Sequence, residues 1–296
     1  MKIAANNLQL EVDIQGPADG EPLLLIMGLG MQLIAWPEAL VAQLVARRFR
    51  VIRFDNRDIG LSEGFDHAGM PNLVQAGMRS VLGLSVTPAY HLRDMAHDAL
   101  GVLDALGIQR AHVCGASMGG MIAQHLAAHH PMRVKSLTLI MTASGARRVS
   151  QPGWRVRQAM LSRPKSRDLH EVVAHMEGLW ALIGSPAHRP DPVALRQRLE
   201  ASVRRAYRPA GSARQLMAIL ADGDRSPFLG RITAPTAVIH GAADPLVPPA
   251  AGQDLANKIG GATLDLVPGM GHDLPEPLLP RIATGIAAAA ARGTGG

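Results

Sequence analysis

Residues 111–122 read AHVCGASMGGMI, and this stretch decides the fold class of the chain. Residues 111–114 form an apolar run typical of a buried strand, and residues 118–129 have the composition of a helix. Between them, residues 115–119 match the pattern Gly-x-Ser-x-Gly. The sequence therefore predicts a tight strand–serine–helix turn with Ser117 at its apex.

A serine at such a turn is held in a strained backbone conformation. The residues two positions before and after it must be small, so that strand and helix can approach each other. Gly115 and Gly119 satisfy this requirement. The turn would expose the Ser117 hydroxyl at the carboxyl edge of the sheet, where open α/β sheets bind ligands, beside a helix N-terminus that favours negative charge. Because the chain contains 31 glycines, the alternative is a glycine-rich turn with an incidental serine.

Strands and helices alternate on both sides of this turn. The further predicted strands are residues 8–14, 23–27, 49–54, 134–141, 236–240 and 263–267. The further predicted helices are residues 37–47, 90–106, 250–259 and 278–291. Such alternation favours right-handed crossovers and a mostly parallel sheet.

One long segment, residues 146–231, interrupts the alternation with helices broken by prolines. We therefore predict an N-terminal part of the core (residues 1–145), a helical cap (146–231) and a C-terminal part of the core (232–296). The cap contains 16 basic and 7 acidic residues, against 14 and 17 in the rest of the chain. Its arginines are scattered among helix formers with few aromatic residues, which favours a solvated helix surface over a functional anion-attracting one.

The composition also limits location and partners. The longest apolar run, residues 23–31, is too short to span a bilayer, and the first fifteen residues lack the apolar core of a secretory signal. Cys114 is the only cysteine, so an internal disulfide is excluded. We expect a cytoplasmic monomer or homodimer that acts on a small molecule and uses no cofactor, nucleic acid or membrane span.

A serine hydroxyl becomes a strong nucleophile only beside a base that is itself held by an acid. Asp244 and His272 each follow a predicted strand, so both should lie at the same edge of the sheet as Ser117. We predict that Asp244 fixes the tautomer of His272 and that His272 takes the Ser117 proton. Considered alone, Asp244 would also fit a turn before a proline. Considered alone, His272 would also fit an ordinary histidine in a loop.

An oxyanion hole needs two backbone N–H donors near the nucleophile. Met118, directly after Ser117, is one candidate, and Leu29 in the glycine-rich turn of residues 27–30 is the other. A dinucleotide-binding interpretation of this turn is weak, because Leu33 stands where the third glycine of the pattern would be.

A metal site is not predicted. His125 and His129 lie four residues apart on one helix, but no glutamate follows the first and no third ligand is evident. We expect them to be ordinary hydrogen-bonded histidines near a helix C-terminus. Cys114, on an apolar strand, is expected to be a buried and unreactive thiol.

These motifs together resemble the α/β-hydrolase superfamily over nearly the full chain. The segments MGLGMQLIAWP, RFDNRDIGLS and PGMGHDLP are most similar to aclacinomycin methylesterase-type hydrolases and related bacterial carboxylesterases. The resemblance implies an α/β-hydrolase fold: an eight-stranded, mostly parallel sheet flanked by helices, with the cap inserted after strand six. It also implies that Ser117 is the nucleophile, Asp244 the acid and His272 the base, with Leu29 and Met118 forming the oxyanion hole.

Two positions depart from the usual family pattern. Met27 stands where many relatives have histidine, which changes the support of the oxyanion loop but not its backbone donors. Asp58 stands where glycine is frequent, and we expect Arg57 and Asp58 to support the loops of the active site.

The sequence thus predicts a serine hydrolase of carboxylic esters, a small-molecule carboxylesterase or methylesterase. A lactonase, a C–C bond hydrolase or a cofactor-free haloperoxidase is the alternative, because these reactions use the same three side chains on the same fold. A non-catalytic binding protein on this scaffold is disfavoured, because it would not need an activated serine.

Overall fold

The computed structural model describes residues 1–293, and of residues 80 and 81 only the backbone. Within that range the chain forms eight strands and eleven α-helices, besides short 3-10 turns. The strands are β1 (Lys2–Ala5), β2 (Leu8–Gln15), β3 (Glu21–Ile26), β4 (Phe49–Phe54), β5 (Ala111–Ala116), β6 (Val134–Ile140), β7 (Thr236–Gly241) and β8 (Thr263–Val267). The helices are α1 (Glu38–Ala46), α2 (Leu73–Val81), α3 (Leu92–Ala105), α4 (Met118–His129), α5 (Trp154–Leu161), α6 (Leu169–Ile183), α7 (Pro192–Arg205), α8 (Pro209–Asp222), α9 (Ser226–Leu229), α10 (Pro249–Lys258) and α11 (Leu279–Gly293).

The eight strands form one sheet in the order β1-β2-β4-β3-β5-β6-β7-β8. The pairs β1–β2 and β2–β4 are antiparallel, and all other neighbouring strands run parallel. β5 lies between β3 and β6 and is buried along its whole length, as expected for a central parallel strand. The predicted α/β-hydrolase fold with a mostly parallel eight-stranded sheet is confirmed.

Helices cover both faces of the sheet and bury two apolar layers. On one face α3 and α4 contribute Leu92, Met95, Ile122 and Leu126. The layer on the other face includes side chains from α1 and α11, among them Leu40 and Ile282. Both faces of the sheet are therefore covered, and the loops at the ends of its strands remain available for a site.

Some sequence-predicted bounds were wrong. β5 extends to Ala116, two residues beyond its predicted end, because Gly115 and Ala116 continue the pairing with β6. β1 was not predicted, since it offers only two buried positions, Ile3 and Ala5. α2 was not predicted either, and its apolar side chains Val74 and Met78 are exposed.

The inserted helices α5–α9 lie between β6 and β7, within the segment predicted as a cap. α7 and α8 are joined to the core by ion pairs. The Arg214 guanidinium donates to both carboxylate oxygens of Asp58, at 2.8 and 2.6 Å, and Arg205 Nη1 lies 2.7 Å from Asp55 Oδ2. Burial raises the pKa of Asp58, but hydrogen bonds from Arg214 and from the Phe65 N–H outweigh it, and the pKa lies below its ordinary value.

The expectation that the arginines of this segment form a solvated surface is wrong for two of them. Arg214 and Arg225 are almost completely buried. Arg225 lies 2.5 Å from Asp222 and donates to the Ala143 carbonyl. Each arginine can be buried because a carboxylate compensates its charge: Asp58 for Arg214, and Asp222 at the end of α8 for Arg225.

Across residues 1–293, no helix combines the length and the apolar character needed to cross a bilayer. The cytoplasmic location and the monomeric or homodimeric state stay predictions. So do the three domain parts, and residues 294–296, the end of the predicted C-terminal part, lie outside the described residues.

We expect Arg214→Met to lower the free energy of unfolding by about 3–5 kcal/mol, because it leaves the Asp58 carboxylate buried without its partner. Arg281→Met is the matched control: its bidentate pair with Asp265 lies at the surface, and its loss should cost at most ~1 kcal/mol. Urea unfolding at pH 7, followed by circular dichroism, measures both. Equal losses would contradict the role given to the Arg214–Asp58 pair.

Candidate active site

The backbone of Ser117 is the most strained feature of the candidate site. Ser117 joins β5 to α4 with φ 53° and ψ −120°, a conformation that L-residues avoid. Its N–H donates to the Ile140 carbonyl over 2.9 Å, and its carbonyl accepts the Thr142 hydroxyl over 2.7 Å. These two bonds from the end of β6 and its following loop fix the turn.

The two glycines around Ser117 are sterically required. A methyl group on Gly115 would come closer than 3.0 Å to the backbone of Gly119. A methyl group on Gly119 would come equally close to the carbonyl oxygen of Ile26 at the end of β3. The predicted close approach of strand and helix is thus observed at Gly115, whereas Gly119 is required where α4 approaches β3.

Three side chains from distant parts of the sequence meet at the carboxyl edge of the sheet. His272 Nε2 lies 2.9 Å from Ser117 Oγ, and His272 Nδ1 lies 2.7 Å from Asp244 Oδ2. Asp244 follows β7 and His272 follows β8. His272 and Asp244 are buried, whereas Ser117 is partly exposed. The arrangement allows a proton to pass from the serine to an imidazole that a carboxylate orients.

The carboxylate of Asp244 is held from its other side. Its Oδ1 accepts the N–H groups of Leu246 and Val247 at 2.9 and 2.8 Å. His240 Nε2 lies 2.9 Å from the Val247 carbonyl and 3.8 Å from Asp244 Oδ2. Burial lowers the pKa of His240, which favours its neutral form beside the site. Asp244 is thus fixed in the orientation that faces His272.

The loop that carries His272 contacts the inserted segment. The His272 N–H donates to the Ile183 carbonyl over 2.8 Å, and the Gly271 N–H donates to the Ser185 hydroxyl over 2.8 Å. Asp273 accepts both the N–H and the hydroxyl of Ser185. Burial raises the pKa of Asp273 above its ordinary value, although these hydrogen bonds act against the rise. Sequence analysis missed Ser185, since no local pattern marks it.

Two backbone amides lie beside Ser117 without a partner. Neither the Leu29 N–H nor the Met118 N–H donates a hydrogen bond to any group within residues 1–293. Met118 begins α4, so its amide points out of the helix N-terminus. The turn with Leu29 lies against the serine, because a methyl group on Gly28 would lie 3.1 Å from Ser117 Cβ. Free backbone amides beside a nucleophile are the kind of donor that an oxyanion hole uses.

The loop of residues 55–60 holds the turn that contains Leu29 in place. Asn56 Nδ2 donates to the Met27 carbonyl over 2.9 Å, at the point where β3 leaves the sheet. Arg57 donates to both oxygens of Asp98 at 2.6 Å, and Asp58 binds Arg214. These contacts agree with the expected supporting role of Arg57 and Asp58. Sequence analysis missed Asn56, which carries the direct contact.

The remaining candidates have structural partners. His125 Nε2 lies 2.8 Å from Asp222 Oδ1, and His129 Nδ1 lies 2.9 Å from the His125 carbonyl. Among the described residues, no group of three or more His, Cys, Asp or Glu side chains could hold a metal ion. Cys114 is fully buried, and burial raises the pKa of its thiol. A buried thiol of this kind is unreactive.

Comparison with known proteins identifies the family of the chain. A profile of the family described as alpha/beta hydrolase fold matches residues 21–276. Rhodomycin D methylesterase of Streptomyces peucetius is 32% identical over 285 residues, 88% of this chain and 89% of that protein. The 3-oxoadipate enol-lactonase 1 of Acinetobacter baylyi is 27% identical, covering 80% of this chain and 76% of that protein. The solved enol-lactonase of Burkholderia xenovorans LB400 has a TM-score of 0.72 at 24% identity, covering 98% of this chain and all of that one.

We expect Gly119→Ala to abolish activity and to lower the yield of folded protein, because its methyl group would displace the end of β3. Gly178→Ala is the control, since Gly178 lies exposed in α6 and an added methyl group meets nothing within 4 Å. That control should gain up to ~1 kcal/mol of stability from the better helix former. Thermal unfolding and ester hydrolysis measure both variants. An active, fully stable Gly119→Ala protein would refute the steric argument.

Proposed function

The chain belongs to the α/β-hydrolase family, and we propose that it is a serine hydrolase that cleaves carboxylic esters of small molecules through an acyl-enzyme. One observation carries the proposal: the hydrogen-bonded series from Ser117 Oγ through His272 to Asp244, at 2.9 and 2.7 Å. The position of two unpartnered amides beside the serine supports it further.

In the first half of the reaction, Ser117 Oγ attacks the ester carbonyl carbon while His272 Nε2 takes the hydroxyl proton. The carbonyl oxygen becomes negatively charged and is bound by the Leu29 and Met118 N–H groups. Asp244 stabilises the imidazolium that forms. When the carbon–oxygen bond to the alcohol breaks, His272 returns the proton to the alcohol, and an ester of Ser117 remains.

In the second half, water attacks that ester and His272 takes a proton from the water. The tetrahedral intermediate binds the same two amides. It then releases the carboxylic acid as the proton passes from His272 back to Ser117 Oγ. Each step uses side chains of this chain, the substrate and water, so the proposed reaction includes no cofactor.

A methyl ester is the substrate that we favour. Rhodomycin D methylesterase of Streptomyces peucetius, which is 32% identical, is a methylesterase by name, and its similarity extends over most of both chains. Lactones are the second candidate, since another relative over 80% of this chain is named an enol-lactonase and a lactone is a cyclic ester. A lactone opens by the same attack, but its alcohol stays attached to the acyl group.

We expect wild-type protein to hydrolyse p-nitrophenyl esters and Ser117→Ala to lose about 10⁶-fold in kcat, as when a triad acts as one unit. Release of p-nitrophenol from acetate to palmitate esters measures this and gives the acyl length that the site accepts. Turnover that survives in Ser117→Ala would contradict the proposed nucleophile. A wild-type protein that cleaves lactones but no open-chain ester would favour the second candidate.

We expect Asp244→Asn to lower kcat by about 10⁴-fold with little change in stability, because the amide would favour the wrong tautomer of His272. Asp254→Asn is a control: the hydrogen bonds of this carboxylate go to Lys258 and Ser144, not to His272. Steady-state kinetics and thermal unfolding of both variants test the assignment. An Asp244→Asn protein with wild-type kcat would exclude Asp244 as the acid.

A further inference from the structure

We propose that Gln215 is a positioning residue for the oxyanion hole: it holds the turn of residues 28–31 so that the Leu29 amide stays free for the substrate. The inference rests on the proposed ester hydrolysis at Ser117. Gln215 is fully buried in α8, more than 180 residues along the chain from the turn that it contacts. No sequence pattern marked it.

Both polar atoms of the Gln215 side chain are used. Its Oε1 accepts the Gly30 N–H over 2.9 Å, and its Nε2 donates to the Arg57 carbonyl over 2.9 Å. The side chain therefore connects the oxyanion turn to the neighbouring loop of residues 55–60. That loop holds the other end of the turn through Asn56, which donates to the Met27 carbonyl. Two buried amide side chains thus bind this part of the backbone. Gln215 binds Gly30 within the turn, and Asn56 binds Met27 just before it.

The geometry of the turn explains why the contact matters. The Met31 N–H donates to the Gly28 carbonyl, which closes a four-residue turn, and Gly30 has φ +68°. A glycine with positive φ at the third position is typical of a type II turn. In such a turn the amides of the second and third residues lack partners within the turn. Gln215 binds the third amide, at Gly30, and the second, at Leu29, remains free.

α8 packs tightly against both the turn of residues 28–31 and the loop of residues 55–60. A methyl group on Gly30 would come within 2.8 Å of Ser212 Oγ, and one on Gly211 would press against the Asp58 carbonyl. One turn further on, Arg214 forms its bidentate ion pair with Asp58. The helix face that carries Gln215 therefore cannot move away from the two loops without breaking a buried ion pair.

Loss of Gln215 would leave the Gly30 N–H and the Arg57 carbonyl without partners. The turn would then relax towards other acceptors, and the Leu29 amide would leave the position that a tetrahedral intermediate requires. Removing one oxyanion donor typically lowers kcat by ~10²–10³-fold, and displacing a donor costs part of that. We expect Gln215→Leu to lower kcat by about 10–100-fold with KM nearly unchanged, since the ground-state ester makes weaker use of these amides.

Gln124→Leu is the matched control. Gln124 is also fully buried and also uses both polar atoms, donating to the Ala143 carbonyl at 3.1 Å and accepting from Arg225 Nε at 3.0 Å. It contacts neither the oxyanion turn nor the loop of residues 55–60. Its loss should cost similar stability without the selective loss of kcat. Circular dichroism and thermal unfolding establish that both variants fold.

A second variant, Gln215→Glu, distinguishes positioning from general stability. A protonated glutamate reproduces glutamine, with a hydroxyl donor for the Arg57 carbonyl and a carbonyl acceptor for the Gly30 N–H. An ionised glutamate lacks the donor. The ratio of variant to wild-type kcat should therefore be highest at low pH and fall as the pH rises through the glutamate pKa. The charged side chains on the loop of residues 55–60 are ion-paired, as Arg57–Asp98, Asp58–Arg214 and Asp55–Arg205. On α8 itself, the other charged side chain is Asp222, which pairs with Arg225.

The decisive readout pairs kcat with the affinity for an alkyl trifluoromethyl ketone, which forms a tetrahedral adduct on an active serine. We expect the affinity of Gln215→Leu to fall in parallel with kcat, and that of Gln124→Leu to stay near wild type. A folded Gln215→Leu with wild-type kcat and ketone affinity, or a Gln215→Glu ratio independent of pH, would overturn the inference alone. A wild-type protein without ester hydrolysis or ketone binding would overturn the proposed function, and the inference with it.

Discussion

The left-handed backbone of Ser117 is the constraint on which the rest of the site depends. A non-glycine residue in such a conformation costs about 1–3 kcal/mol, and the surrounding structure has to hold it. Here the bonds to Ile140 and Thr142 hold the turn. Gly115 lets β5 and α4 come close enough for it to form, and Gly119 lets α4 approach β3. The strain has a consequence for chemistry, because the turn lifts the hydroxyl out of the sheet edge and points the first amide of α4 beside it.

The strand order brings the other groups to this point. β3 lies directly beside β5, so the turn that follows β3 lies against Ser117 and offers the Leu29 amide. β7 and β8 lie on the opposite side of β5, beyond β6, and the loops after them carry Asp244 and His272. In the proposed reaction, the groups that stabilise charge and those that transfer the proton thus come from opposite sides of one central strand. The inserted segment of residues 146–231 contacts the loops on both sides of β5. Gln215 binds the turn after β3, and Ser185 binds the loop that carries His272.

The residues that could be predicted from sequence are those with a local pattern. Ser117 lies between two glycines, and Asp244 and His272 each follow an apolar strand, so their positions at the sheet edge follow from the alternation of elements. Gln215, Ser185 and Arg214 carry no such pattern, because each acts through a contact with residues tens to more than a hundred positions away. Arg214 has the same sequence surroundings as an arginine on a solvated helix, and only its buried pairing with Asp58 distinguishes it. β1 was missed for a related reason, since only two of its four side chains are buried.

The measurement that tests the central claim most directly is covalent labelling of the protein with an alkyl fluorophosphonate, followed by peptide mass mapping. The reagent reacts with a serine in proportion to its activation by a neighbouring base. We predict a single adduct on Ser117, formed rapidly in the wild-type protein and slowed by several orders of magnitude in His272→Ala. An adduct on another residue, or labelling of Ser117 at an equal rate in His272→Ala, would contradict the account.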